Sequence, residues 1–412
     1  MFRKIAAIDV HKKLLVVVVI DSAQPEVVVA SRKFGTGAAE LRALSAWLGA
    51  HGVTEVVMES TAQYWKPVWM ELEPHLRLHL AQAHSNKAPK SRKSDLADAK
   101  RLARRFVAGE LMLSFIPEPA QRAWRMVTRG RLELVRDRVR LHNQIESLLE
   151  QGRIKLSSAV SDLLGASGRR ILRALANGQT DPAVLAALGD SHLKCGLPVL
   201  VDALTGSMNP ILCRLLAQHL DRVELLDTQI EELNKQAAAE LLQYQDTVTR
   251  LIEIPGIGAE AAQEILAEIG PNAAAFPSAA QMASWIGVCP GSNESAGQNH
   301  SGRCAKGNRF LRRLLCQAAQ AAVRTNNSHL QSIFQRLVVR LGYVKAVWAI
   351  AHRMAKIVWN IPHKGARFIE FNPARSPQAV KRAINHHLKA LRNLGYNLPA
   401  APPQPIVPAA EG

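Results

Sequence analysis

The sequence predicts a multidomain chain: an α/β domain at the N-terminus, a helical coiled-coil arm, and a mainly α C-terminal domain. Three observations carry that expectation. Apolar β-rich runs alternate with helical patterns over the first hundred residues. Two long stretches of three-to-four apolar spacing follow, and from about residue 244 the pattern is helical around a single polar loop. At 412 residues the chain also exceeds one ordinary core, so two or three domains are expected.

Residues 3–10 and 13–21 are β-rich and apolar, with His11-Lys12 between them as a hairpin turn. A third strand fits 25–34 and ends at Gly35-Thr36-Gly37. Residues 38–50 carry a helical pattern, 53–59 is another apolar strand, and 77–82 a short fifth. Residues 95–109 read as a helix with Leu96, Ala99, Leu102 and Phe106 on one stripe. The order of three strands, helix, strand, helix, strand and helix is that of a ribonuclease-H-like (resolvase-like) fold. A flavodoxin-like sheet needs a helix after its first strand, and none fits there.

Pro117-Glu118-Pro119 punctuates the chain and sets the expected division: an acidic catalytic domain over 1–116, then the arm with an insertion over 117–243. A serine-bearing domain is expected over 244–362, and a basic, then Pro-rich, partly disordered tail over 363–412. The arm's first helix spans 120–156 and is dense in arginine (Arg122, Arg125, Arg129, Arg131, Arg136, Arg138, Arg140). Its second, roughly 209–243, places Leu216, Leu220, Val223, Leu226, Ile230 and Leu233 at three-to-four spacing and can pair with the first. Between them, residues 158–205 are broken by Gly165, Gly168, Gly178 and Pro198 into short helices, whose role the pattern leaves open.

Lysine and arginine number 52 against 34 acidic residues, a net charge of +18. Each cation set against a phosphate releases a condensed counterion, so a polyanion is the expected partner. No apolar run approaches the roughly 18–20 residues that span a bilayer, which favours nucleic acid over a membrane. The short run Leu14–Ile20 follows Asp9 and lacks a cleavage pattern, so it reads as a strand rather than a signal peptide. Five scattered cysteines fit a reducing cytoplasm and no zinc finger.

Asp9 ends the first strand in "IAAIDVHKK", Glu59 ends a later strand in "VTEVVMES", and Asp95 and Asp98 lie three residues apart in "KSDLADAK". In a ribonuclease-H-like sheet the ends of the first and fourth strands adjoin and a following helix crosses them. Four carboxylates then converge and call for cations; magnesium takes carboxylate and phosphate oxygens together. Singly, each acid reads better as a turn or helix-start residue; together, in this order on this strand pattern, they read as a metal site. Lys93, Arg101, Arg104 and Arg105 surround the pair and can hold a phosphate backbone.

Further on, "IPGIGAEAAQEILAEIG" places Gly256 and Gly258 in a glycine turn opening a helix, a place where backbone N–H groups bind phosphate, or a plain helical connection. The segment "WIGVCPGSNESAGQNHSGRCAKGNRFLRRLLCQAA" is rich in Ser, Asn and Gly, with Arg303, Lys306, Arg309, Arg312 and Arg313 as phosphate candidates. Ser292, Ser295 and Ser301 are equal candidate nucleophiles on chemistry alone, and each is equally an ordinary turn residue. No hydrolase triad surrounds them.

In these segments the chain resembles the bridge-RNA-guided insertion-sequence recombinases, transposases with a DEDD resolvase-like domain and a serine-bearing C-terminal domain. The matching pieces are "AIDVHKK", "VVMESTAQYW", "SDLADAKRLA", "IPGIGAEAA" and the serine segment, in family order over most of residues 3–360. The resemblance implies that Asp9, Glu59, Asp95 and Asp98 bind Mg2+, and that Ser295 attacks a DNA phosphodiester to form a phosphoserine. It implies a guide RNA from the element's noncoding end, donor and target DNA, and a homo-oligomer (dimer or tetramer) in which the acidic site of one protomer faces the serine of another. A bacterial, cytoplasmic, nucleoid-associated protein follows. Where many members have serine followed directly by glycine, Ala296 stands between Ser295 and Gly297 here, and Ser301-Gly302 is a competing match. Ser295 is preferred because it keeps its distance from "GVCPG" and "KGNRFLRR". The rival expectations are a metal-dependent nuclease or junction resolvase using water, and a non-catalytic nucleic-acid scaffold.

Overall fold

A computed structural model describes residues 3–59, 62–83, 94–190, 193, 195–291, 294–295, 298–299 and 302–370. Lys93, Ser292, Ser301, His300 and the Pro-rich tail lie outside the described residues, and of Ser295 only the backbone is described. The chain divides into two compact units, Met1–Glu118 and Pro119–Gly412.

In the first unit the strands are β1 (Lys4–Val10), β2 (Leu15–Asp21) and β3 (Gln24–Phe34), then α1 (Ala38–Ala50), β4 (Val53–Glu59), α2 (Trp65–Leu72), β5 (Arg77–Ala81), α3 (Asp95–Val107) and a two-residue β6 (Leu113–Ser114). The sheet order is β3-β2-β1-β4-β5-β6. β2 is antiparallel to β1 and to β3, whereas β4 runs parallel to both β1 and β5. The parallel adjacency of β1 and β4 is the feature on which the ribonuclease-H-like expectation depends. β6 was not anticipated: two residues carry no readable period.

Period-2 alternation sorts the strand residues onto two faces. Ala6, Ile8 and Val10 pack with Leu41, Leu44 and Leu48 of α1 and with Val68, Trp69 and Leu72 of α2. Ile5 and Ala7 pack with Ala99, Leu102 and Ala103 of α3 on the other face. β1 and β2 are buried on both sides, which is why they read as continuous apolar runs rather than alternating ones.

The second unit is built on two long helices, α4 (Pro119–Gln151) and α9 (Pro210–Glu240), with α5 (Leu156–Ala159), α6 (Ala166–Ala176), α7 (Pro182–Ala186) and α8 (Leu197–Ala203) between them in sequence. α4 and α9 pack antiparallel: Arg131 meets Asn234 while Arg138, further along α4, meets Asp227, earlier in α9. Their seam is partly polar. Leu216, Leu220 and Val223 are buried, but Ile230 and Leu233 are only half-buried, where the Arg131 and Arg138 contacts take over. Within 158–205, Ile171, Leu172, Leu175, Leu185 and Leu200 close a core over Leu141, Ile145, Leu148 and Leu216 of the long helices.

The remaining helices are α10 (Gln245–Ile252), α11 (Ala259–Ile269), α12 (Ala279–Ile286), α13 (Arg309–Ala322), α14 (His329–Leu341) and α15 (Tyr343–Lys364), with a short hairpin of β7 (Glu294–Ser295) and β8 (Gln298–Asn299) before α13. They share one core with Trp124 of α4. No helix among the described residues is long and apolar enough to cross a membrane.

Candidate acidic metal site and serine hairpin

Asp9 is the next-to-last residue of β1, and Glu59 is the last of β4. Ile8 is in register with Met58, so the two acids follow at the same edge of two adjoining parallel strands. Alternation sets them on the face of Ile5, Ala7 and Val57, the face that α3 covers. Ser94 is the α3 N-cap and Asp95 and Asp98 form its acidic first turn, where the helix dipole favours negative charge.

The structure brings Asp9 and Asp95 together through a residue read from sequence only as a turn. His11 Nε2 lies 3.1 Å from Asp9 Oδ2 and 3.6 Å from Asp95 Oδ1. One donor atom from each of Asp9, His11 and Asp95 falls within 4.8 Å of the others. Burial pushes the Asp9 carboxyl above its usual range; His11 pulls it down, and Asp95 and Asp98 push it up again. Asp98 is thus close enough to repel Asp9, while its own carboxylate lies 3.5 Å from Arg101. Carboxylate donors whose repulsion is only partly relieved, plus one imidazole, are a donor set that fits a divalent cation. Part of the signal for His11 was available: it lies two residues beyond Asp9, directly after the end of β1 at Val10.

The three arginines of α3 have acidic partners in the protein, Arg101 through Asp98. Arg104 pairs with Glu26 at 2.8 Å and Arg105 with Glu110 at 3.3 Å. Exposed pairs of this kind contribute only about 0–1 kcal/mol, so exchange for a phosphate is cheap.

In the second unit, much of the arginine density of α4 faces inward. Glu268 of α11 is 2% exposed. It accepts two hydrogen bonds from Arg129 (2.7 and 2.9 Å) and one from Asn308 Nδ2 (2.8 Å), and Arg125 Nε lies 3.6 Å away. Arg125 also donates to the Ala267 and Glu268 carbonyls, and burial lowers its guanidinium to about 10. Arg131, 1% exposed, donates to Asn234, Gln263, Glu264 and the Glu260 carbonyl. Burial raises Glu264 even though Arg131 and Arg313 attract it. The sequence reading missed this buried network, because no local pattern links Arg129 to Glu268.

Asn308 does double duty. Its side chain caps α13 by accepting from Phe310 and Leu311 N–H, and it donates to Glu268. The C-terminal stem of the serine hairpin is thereby fastened to the buried carboxylate. On the other stem, a Cβ at Gly291 would come within 2.3 Å of the Arg303 carbonyl, so the two arms approach as only glycine permits. Ser295 lies in β7, in register with Gln298.

Gly256 is left-handed (φ +85), and a Cβ there would meet the Ala318 carbonyl at 2.2 Å, so it serves the contact of its turn with α13. Gly258 caps α11 in open space. Of the C-terminal cations, Arg313 lies 3.7 Å from Glu264, Arg312 donates to the Ala305 carbonyl and lies over Trp348, and Arg309 lies over Phe310. Arg303 and Lys306 are exposed.

A transposase family model of the DEDD IS110 type matches residues 6–154, which include all four predicted acids, and a model described as "Transposase IS116/IS110/IS902 family" matches residues 248–335, which include Ser295. A protein described as a probable family 20 transposase, from Pseudomonas aeruginosa, is 28% identical over 317 residues, covering 73% of this chain and 82% of that relative. With both domain types present in family order, the chain belongs to the IS110 family of insertion-sequence transposases.

Proposed function

We propose that this transposase is an RNA-guided DNA recombinase that cuts and rejoins DNA through a covalent phosphoserine at Ser295. The observation that carries the reading is the convergence of Asp9 and Asp95 at the end of β1, in one family domain, while a second family domain holds Ser295 on a glycine-pinched hairpin. Asp9, Glu59, Asp95 and Asp98 hold the cation, taken as Mg2+. When bound, it supplies Lewis-acid polarisation of the phosphate and screens the developing charge.

Ser295 Oγ forms the new bond to phosphorus as one phosphorus–oxygen bond to deoxyribose breaks, and the serine proton passes to the departing oxygen. In the second half, a hydroxyl from another DNA end attacks the phosphoserine and returns Oγ to the hydroxyl form. Each step exchanges one phosphate ester for another, so rejoining needs no nucleotide hydrolysis, in keeping with a sequence that has no P-loop. A serine hydroxyl is a weak nucleophile and needs help in losing its proton; the acidic site supplies that help in a homo-oligomer, dimer or tetramer. Arg303, Lys306 and Arg309 are exposed near the hairpin stem, and together with Arg101, Arg104 and Arg105 on α3 they suit phosphate contacts to DNA or a guide RNA from the element's noncoding end.

The test is covalent trapping. Protein, Mg2+, the element's flanking noncoding RNA and labelled donor and target DNA are combined and quenched in SDS. A protein-linked DNA band lost in both Ser295→Ala and Asp9→Ala is expected. Cleavage without a linked band, unchanged by Ser295→Ala, would make the protein a nuclease with water as nucleophile.

A further inference from the structure

His11 belongs to none of the four acidic positions, yet it stands between two of them. β1 ends at Val10, so His11 is the first residue past the paired strand, and its backbone N–H closes the turn on the Leu14 carbonyl. Its ring is 3.1 Å from one carboxylate on a strand and 3.6 Å from another on a helix. One nitrogen thus hydrogen-bonds a strand carboxylate and lies within ion-pair distance of a helix carboxylate.

The spacing suits coordination. Donors about 2.1 Å from an octahedral ion stand roughly 3.0 Å apart when adjacent and about 4.2 Å when opposite. The donor atoms of Asp9, His11 and Asp95 all fall within 4.8 Å of one another, so one ion reaches all three with small side-chain rotations. The His11 side chain is 44% and that of Asp95 50% exposed, which leaves the outer coordination positions open to water or phosphate.

We propose that His11 is a direct ligand of the catalytic cation, making the site a mixed oxygen–nitrogen one that holds a transition-metal divalent such as Mn2+ more tightly than Mg2+. Carboxylates alone suit Mg2+ and Mn2+ alike, whereas an imidazole nitrogen adds affinity for first-row transition metals and little for Mg2+. The inference rests on the metal-site reading of the acidic cluster and extends it to the choice of metal.

Mn2+ itself is the probe. Full-length protein is titrated with MnCl2, bound metal is followed by electron paramagnetic resonance, and the ligand nuclei are read by electron spin-echo modulation. Wild type is expected to show 14N modulation that disappears when the protein is labelled with 15N-histidine, a readout that needs no variant. His11→Gln is expected to lose the modulation and to weaken Mn2+ binding by at least about tenfold, the lower bound for loss of groups supporting a metal site. Mg2+ competition, weak against wild type, becomes effective against His11→Gln. Mn2+ binding that depends on Asp9, shown by its loss in Asp9→Asn, but carries no histidine modulation overturns the role of His11 and leaves the acidic site standing. Absence of Asp9-dependent Mn2+ binding overturns both.

Discussion

Two regions of this transposase gather carboxylates beside nitrogen-bearing side chains, and they do so to opposite ends. At the end of β1, Asp9 faces Asp95 and Asp98 with only His11 between the first two, and its carboxyl is held up by burial and by its acidic neighbours. Around α11, Glu268 and Glu264 are buried among Arg125, Arg129, Arg131 and Arg313, with Asn308 filling a further position. The first arrangement costs stability and has an open side. The second is closed over Glu268 and Glu264, each of which is paired with guanidinium groups. Like charges gathered at a surface, against their own repulsion, are the mark of a site held for an external ion; carboxylates paired with guanidinium groups under cover are the mark of a fastening.

The largest effect that would break this contrast is on chemistry. Asp9→Asn is expected to lower phosphoserine formation at least about a thousandfold, near 4 kcal/mol of barrier, while leaving the melting temperature unchanged or higher. A variant that melts lower and still forms the adduct would move Asp9 into the structural class. Next, Glu268→Ala is expected to cost about 3–5 kcal/mol in denaturant unfolding, because Arg129 and Arg125 are left without their buried partner. A cost under about 1 kcal/mol would show that the network is not a fastening.

The pH dependence sharpens the contrast by its sign. Asp227 on α9 is pushed up by burial, but hydrogen bonds from Arg169 and Arg138 outweigh that and leave its carboxyl below the usual range. Its contribution is present above the unfolded carboxylate value and is lost as pH falls through the lowered one. Asp227→Asn should therefore flatten the acid limb of a melting-temperature profile. Asp9, raised rather than lowered, works the other way: its ionisation costs stability as pH climbs from the unfolded value through the raised one, so the gain from Asp9→Asn grows towards neutral pH. The smallest effect belongs to Arg104→Ala. It should change stability by less than about 1 kcal/mol but reduce the salt slope of DNA binding by about one. An unchanged slope would take α3 out of the phosphate-binding surface.

The sequence showed what local periodicity can encode. The helix over 38–50 and the strand over 53–59 fall where their apolar patterns place them, and Asp9 and Glu59 were visible as polar ends of apolar runs. Whatever depends on distant pairing stayed hidden. Arg129 looks like any cation on a polar helix face until Glu268, 139 residues on, is folded against it. Leu216, Leu220 and Ile230 share one spacing, yet Ile230 is only half-buried, since Arg138 and Asp227 hold that part of the seam. His11 was read as a turn because hairpins commonly turn on polar residues, and only the approach of α3 gives it a second carboxylate.

The hairpin that carries Ser295 limits how its length can vary. β7 and β8 pair Glu294 with Asn299 and Ser295 with Gln298, and Gly291, before them, lies close against the Arg303 carbonyl that follows them. Adding or deleting one residue in a single arm would shift the β7–β8 pairing relative to the Gly291–Arg303 contact, and a one-residue slip in a paired strand turns its side chains to the opposite face. Length changes among relatives are therefore expected as matched pairs, one in each arm, or as changes confined to the tip. That rule offers a way to place the equivalent serine in chains where the surrounding residues have drifted.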